Sequence, residues 1–435
     1  MFLLKAAPLV LLPALFLGQG SDPGLSVRLH ARLLNDLDPK VRKQTAQDLG
    51  QYGNAVRNAA AALIRALEDL DEEVRAAAAH GLGELGPSAW VAVRPLAKAL
   101  KDKSADVRAS AARALFQMGP FAKDAVPALI SALKDESARV RRRAATALGA
   151  IGSSAKAAVP ALIEAAKDKD PGTKTDASVA WCALSGLGGI GPEAKAAIPA
   201  LIGLIKSEDV NLRHGAVHAL GHVGSQHETV IPALRAVLRN KKDPNLAGTA
   251  ARALARMGPA ASAALPDLLQ LLKFEGVADS EIATRIRCDV FFALGEIDGK
   301  GKVAVPALVA AVNDKALDWR CRSVAVQGLG KIGPFANAAV PSLIAVLMNP
   351  ESSAGLREDA SVALGNIGPA AVPALVRILK DGTLVGRLGN PRSYAIKALG
   401  NMGSAAREAV PALLEAVDDP EVENYAIQAL VKIRE

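Results

Sequence analysis

Residues 126–152 read VPALISALKDESARVRRRAATALGAIG, and this stretch decides the fold. Val126-Pro127-Ala128-Leu129-Ile130 opens a first helix, with Pro127 in the first turn, where a missing N–H breaks no hydrogen bond. Val140, Ala144, Ala147, Leu148 and Ile151 then fall at i, i+4, i+7, i+8 and i+11, the apolar stripe of a second helix. Gly152 supplies the left-handed residue that ends it. The stretch is one helix pair.

Working outward, the equivalent of Pro127 recurs at Pro160, Pro199, Pro232, Pro266, Pro306, Pro341, Pro373 and Pro411, and backward by the same step at Arg94, Ala61 and Arg28. The Val-Arg step of Val140-Arg141 recurs with Arg42, Arg75, Arg108, Arg213, Arg287, Arg322, Arg357 and Arg392, and is lost at Ala180, Ala247 and Glu423. The closing Gly recurs except at Asp298 and Arg434. An Asp three residues before the Val position (Asp38, Asp71, Asp176, Asp209, Asp243, Asp318, Asp419) stands where the second helix needs its N-cap. These positions define a base period of about 33 residues. The predicted fold is all-α, a right-handed α-solenoid (an armadillo-like helical superhelix) of about twelve helix pairs, running as one array over 21–435. Three units are long, 160–198, 266–305 and 373–410, with their extra residues between the two helices at Lys167–Thr175, Phe274–Glu281 and Asp381–Pro391. Recurring every third repeat, they are expected on one edge of the array, a place for recognition loops.

The motifs Val-Pro-Ala-Leu-Ile, Asp-x-x-Val-Arg, Ala-x-Ala-Leu-Gly and Ile-Gly-Pro resemble the HEAT superfamily, most closely the short phycobilisome-lyase (PBS lyase) type, over about 25–435. The resemblance implies a polar ladder of Asp and Arg tying neighbouring repeats, carried over to Asp38/Arg42, Asp71/Arg75, Asp209/Arg213 and Asp318/Arg322. It implies an interaction scaffold; a bilin-lyase-like enzyme is suggested by the family name alone, with no acid or nucleophile in a pocket-forming pattern to support it.

Composition agrees with a binding array. Half the residues are hydrophobic but aromatics are only 3%, so Ala, Leu, Val and Ile must fill the core. The net charge of +8, from 52 basic and 44 acidic residues, permits an acidic partner without demanding nucleic acid. Lys5, the apolar run Leu9–Leu17 and Gly18-Gln19-Gly20 read as a cleaved secretory signal over 1–20, which places the protein in the periplasm, on the cell surface or outside the cell. No further stretch is expected to cross a membrane. Cys182, Cys288 and Cys321 form neither a disulfide framework nor a zinc knuckle. Cys288 and Cys321 stand at nearly equivalent places in adjacent repeats; buried thiols are the plain reading, and a bridge in an oxidising compartment is the alternative.

Second helices are expected to line the concave face. In repeat six their outward positions are His214, His218 and His222, with His227 following. Histidines four apart on a helix can chelate a transition metal. Trp181 in the preceding repeat and Arg252 and Arg256 in the following one favour an anion or a protein partner instead, and a solvated polar stripe is the plain alternative. Arg139, Arg142 and Arg143 form a second basic group, again either a partner contact or a solvated face. No aromatic residues interleave with it, which disfavours single-stranded nucleic acid. Gly81–Gly86, Gly186–Gly191 and Gly328–Gly333 match Gly-x-Gly-x-x-Gly, but they close helices instead of opening them and so do not predict a nucleotide. No cofactor is expected. The sequence thus predicts an exported, non-catalytic scaffold that binds a protein, or second an anionic polymer, on its concave face and long-loop edge; a metal- or anion-binding role for the His stripe is the alternative.

Overall fold

The computed structural model describes residues 23–51, 56–172, 177–224, 228–240, 242–273, 281–381 and 390–434. Among these there is no strand. Two compact units share the chain, 1–223 and 224–435, dividing the expected single array between its sixth and seventh repeats. In the N-terminal unit the helices are α1 Pro23–Leu33, α2 Pro39–Leu49, α3 Val56–Ala66, α4 Glu72–Glu84, α5 Val93–Ala99, α6 Ala105–Met118, α7 Val126–Ala132, α8 Ala138–Ile151, α9 Val159–Ala165, α10 Val179–Ile190, α11 Ile198–Leu204 and α12 Val210–Val223. In the C-terminal unit they are α13 Val230–Arg239, α14 Pro244–Arg256, α15 Leu265–Leu272, α16 Glu281–Ile297, α17 Ala304–Asn313, α18 Trp319–Ile332, α19 Val340–Met348, α20 Ala354–Ile367, α21 Val372–Leu379, α22 Pro391–Asn401, α23 Val410–Val417 and α24 Glu423–Arg434. Each unit therefore holds six helix pairs, stacked as an α-solenoid in which odd helices are first helices and even ones second.

Local chemistry explains the boundaries. Asp38, Asp71, Asp209, Asp243 and Asp318 accept from backbone N–H groups at the start of the second helix, as expected of N-caps. Gly152 has φ +74, the left-handed conformation the closing position requires. A 3₁₀ turn such as Gly152–Ala158 then leads into the next first helix. Where Asp298 replaces the closing Gly, its buried carboxylate accepts from the N–H groups of Val303 and Ala304 at 2.7 and 2.8 Å and starts α17 instead. The expected loops at 167–175, 274–281 and 381–391 lie largely outside the described residues, as do the signal stretch 1–20 and His227.

The core of the N-terminal unit is two columns of leucine. Leu63, Leu96, Leu129 and Leu162 come from first helices, Leu82, Leu115, Leu148 and Leu187 from second helices, and all are buried. Removing one such side chain down to Ala costs about 2–5 kcal/mol. Alanine between them lets helices approach closely, and at three junctions glycine takes this further. An added Cβ on Gly50 would lie 2.8 Å from the Gly81 Cα, one on Gly149 2.9 Å from the Gly186 Cα, and one on Gly295 2.6 Å from the Gly328 Cα. Gly81, Gly186 and Gly328 are the leading glycines of the three Gly-x-Gly-x-x-Gly matches. Their role is backbone-to-backbone packing between adjacent second helices.

The expectation that no other stretch is apolar enough to cross a membrane does not hold by composition. Ala138–Ala165 and Trp319–Met348 are both long and apolar enough. Each is a second helix and the next first helix, joined through a positive-φ glycine (Gly152 or Gly333) and a 3₁₀ turn. Their apolar residues, Leu148, Ile151 and Leu162 in one and Leu329, Leu343 and Leu347 in the other, are buried in the protein core.

Candidate binding surfaces

Side-by-side second helices bring one arginine per repeat against the next repeat. Arg42 donates through Nε and Nη2 to Asp69 at 2.8 and 2.9 Å, and through Nη1 to the Asp36 and Leu37 carbonyls of its own repeat. The same fork joins Arg75 to Asp102, Arg108 to Asp135 and Arg141 to Asp168. Each acid follows its arginine by 27 residues and stands two residues before the N-cap position. It also accepts from the N–H two residues on, as Asp69 does from Asp71. The ladder expected from Asp38/Arg42 and Asp71/Arg75 is thus real but differently wired: Asp38 and Asp71 cap helices, while Asp69 and Asp102 take the arginines. Hydrogen bonding from Arg42 holds the Asp69 carboxyl below its usual range against the opposing effect of burial. Burial alone would raise Asp102 and Asp168; the Arg75 and Arg141 guanidinium groups and the Ser104 and Asp170 N–H groups hold them low.

Arg213 and Arg322 depart from this wiring. Position 240 is Asn240, and Arg213 donates to the Ser207 and Glu208 carbonyls. Position 349 is Asn349, and Arg322 donates to the Val312 carbonyl at 3.3 Å. In the last repeat Asp419, expected as an N-cap, is a rung: Arg392 pairs with it, and the Glu421 N–H and Arg392 hold its carboxyl low.

The expected basic group is largely neutralised. Arg139 pairs with Asp106 of the preceding repeat, and Arg142 pairs with Asp170 at 2.7 Å, both partners well buried. Among the described residues only Arg143 of the three lacks a carboxylate partner. Second helices lie so close that outward-looking arginines meet acids on their neighbours first.

The histidines occupy one face of α12. His218 is exposed, His214 and His222 are half-buried, and the His218 and His222 rings stand 4.8 Å apart between centroids. No group of three His, Cys, Asp or Glu side chains among the described residues could hold a metal ion. The three-histidine site is not assembled because i and i+8 lie about 12 Å apart along a straight helix. Trp181 is half-buried on α10, and an added Cβ on Gly215 would lie 3.2 Å from its ring, so Gly215 makes room for the indole. In the C-terminal unit Arg252 pairs with Asp289 at 3.3 Å, and Arg256 is exposed. Burial pushes the Asp289 carboxyl up to about 6, opposed by Arg252 and Arg285.

A different surface stands out in the N-terminal unit. Trp90 and Phe121, 59% and 58% exposed, project from consecutive 3₁₀ turns and flank a groove of about 810 Å³. Val91, Pro120 and Lys123 line it, and Arg94 and Asp124 pair within it at 3.7 Å. Phe335, in the same kind of turn in the C-terminal unit, is 61% exposed. Sequence reasoning passed over these residues. The available signal was Phe121 and Phe335 after Gly-Pro, where other repeats carry Ser88, Glu193 or Ala260.

The HEAT-repeat model matches residues 27–115, 93–180, 172–255 and 231–330, and the PBS lyase HEAT-like repeat matches 356–381 and 391–419. The chain is a HEAT-repeat protein. No curated protein matches it. Among solved structures, importin β in an ammonium sulfate condition superposes with TM-score 0.62 at 15% identity, covering 93% of this chain. Yeast importin-β (Kap95p) does so with TM-score 0.62 at 14% identity over 94%, and a Kap95:Nup1 complex with TM-score 0.62 at 15% over 94%. This HEAT-repeat chain spans 62% of the length of those chains. At such identities the likeness is one of fold.

Proposed function

We propose that this HEAT-repeat protein is an exported, non-catalytic scaffold that holds a protein partner, anchored at the Trp90–Phe121 groove. The observation that carries this reading is the exposure of two large aromatic side chains around one groove in a chain with 3% aromatics. Buried at an interface, Trp and large apolar groups contribute disproportionately to affinity. The printed complex of Kap95 with Nup1 shows that this fold class takes protein partners. A protein is favoured over an anionic polymer because Arg139 and Arg142 are already paired with carboxylates.

The test places a photo-crosslinking residue at position 90 or 121 in the source organism. Reproducible adducts at those positions, absent with the probe at the exposed Lys156 on the next turn, support the reading. Trp90→Ala with Phe121→Ala should then weaken the identified partner at least tenfold with the helical content unchanged. Equal capture by the double variant overturns it. N-terminal sequencing of the mature protein tests export, which requires loss of about the first twenty residues.

A further inference from the structure

Cys288 on α16 and Cys321 on α18 face each other across adjacent second helices. The Cys321 thiol is buried and donates to the Thr284 carbonyl at 3.1 Å. That oxygen belongs to the helical turn that ends at Cys288, since α-helical carbonyls bond the N–H four residues on. The two thiols themselves lie within hydrogen-bonding reach of each other. The repeat register explains why. The residue after the ladder arginine reaches forward to the next second helix, as Arg142 does to Asp170 and Ser323 to Asp359. Cys288 follows Arg287 and so reaches forward; Cys321 precedes Arg322 and reaches back. Cys288 is half-buried and open to a small reagent, whereas Cys321 is not.

We propose that Cys288 and Cys321 form a dithiol modification site, which a low-molecular-weight disulfide such as glutathione disulfide converts into a cross-link between the eighth and ninth repeats. The Cys288 thiolate attacks one glutathione sulfur, forming a mixed disulfide and displacing one glutathione thiolate, which takes up the Cys288 proton. The Cys321 sulfur then attacks the Cys288 sulfur. The Cys288–glutathione bond breaks, the Cys288–Cys321 bond forms, and the second glutathione thiolate takes up the Cys321 proton. The protein dithiol is oxidised by two electrons and glutathione disulfide is reduced to two thiols.

The experiment treats the folded full-length protein with glutathione disulfide, blocks remaining thiols with an alkylating agent and maps peptides without reduction. The expected product has lost two hydrogens, joins the peptides containing Cys288 and Cys321, and leaves Cys182 alkylated; dithiothreitol reverses it. In Cys321→Ser the reaction should stop at a glutathione adduct on Cys288, and in Cys288→Ser position 321 should remain a thiol. The cross-link should raise the thermal midpoint of the C-terminal unit by on the order of 5–10 °C. A wild-type protein that ends as a stable glutathione adduct on Cys288, or that keeps both thiols under conditions that oxidise a free dithiol, overturns the proposal.

Discussion

The two six-repeat units use one motif but hold their second helices together differently. In the N-terminal unit four consecutive arginines, Arg42, Arg75, Arg108 and Arg141, each fork onto an aspartate of the following repeat. In the C-terminal unit Arg322 reaches only the Val312 carbonyl, Arg357 donates to the Asn349 and Pro350 carbonyls, and the fork returns at Arg392–Asp419. Because the arginine is kept in both settings, its first duty is to satisfy carbonyls at the turn between the two helices of its own repeat. The inter-repeat rung is added where position 27 residues on is acidic. The rungs are well buried, so their value lies less in net attraction than in the cost of leaving one partner unmatched.

The sharpest way to break the contrast is Asp102→Ala, which strands the buried Arg75. It should destabilise the N-terminal unit by about 2–4 kcal/mol in denaturant unfolding. Arg75→Met with Asp102→Leu should recover much of the loss. An unchanged midpoint for the single variant would mean that the rung contributes nothing.

Protonation separates the units a second way. Carboxyls held low, such as Asp69, Asp102 and Asp168, contribute stability that is fully present above their unfolded range near pH 4 and is lost as pH falls through their folded values. Asp289 has the opposite sign. Its carboxyl is raised to about 6, so between about pH 4 and 6 the folded state holds more protons and the C-terminal unit loses stability as pH rises. Asp289→Asn should abolish that slope and stabilise the C-terminal unit at pH 7 by about 1–2 kcal/mol. Unfolding curves at pH 4.5 and pH 7 check this, and a slope that survives the substitution contradicts it.

A smaller effect would sharpen the comparison in reverse. Asn349 stands 27 residues after Arg322, and its side chain already accepts from the Glu351 N–H as ladder aspartates do from theirs. Asn349→Asp should add a rung and raise stability by roughly 0.5–1.5 kcal/mol, abolished in an Arg322→Ala background. Smallest of all, His214, His218 and His222 changed together to Ala should leave the N-terminal unit within about 0.5 kcal/mol of the parent and zinc retention unaltered, since no three-donor site is assembled. Loss of a bound metal in that variant would restore the metal reading.

The fold was legible because each repeating residue has a stereochemical duty that sequence displays directly: Pro127 in a first turn, Asp71 at an N-cap, Gly152 at a left-handed position. The rungs were less legible. Asp36, Asp69, Asp102, Asp135 and Asp168 recur at intervals of 33, yet two acids stand within three residues of each other at the turn, and only the packed helices show which one meets the arginine. The stripe at His214, His218 and His222 looked chemically distinctive because periodicity puts the residues on one face. It does not say whether their donor atoms can converge. Trp90 and Phe121 were overlooked for the converse reason: their sequence separation hides a groove that exists only once two repeats are stacked.

The wiring of the rungs has a consequence for how such a protein can change length. Each ladder arginine in the N-terminal unit looks a fixed 27 residues ahead, and each acid answers an arginine the same distance behind. Cutting out or duplicating any whole 33-residue block there, wherever the cut is made, leaves every surviving arginine facing an acid. Extension by a copied segment therefore creates no orphaned charge at the seam, and the span of this half of the molecule can be edited in whole-repeat increments without redesigning a single junction.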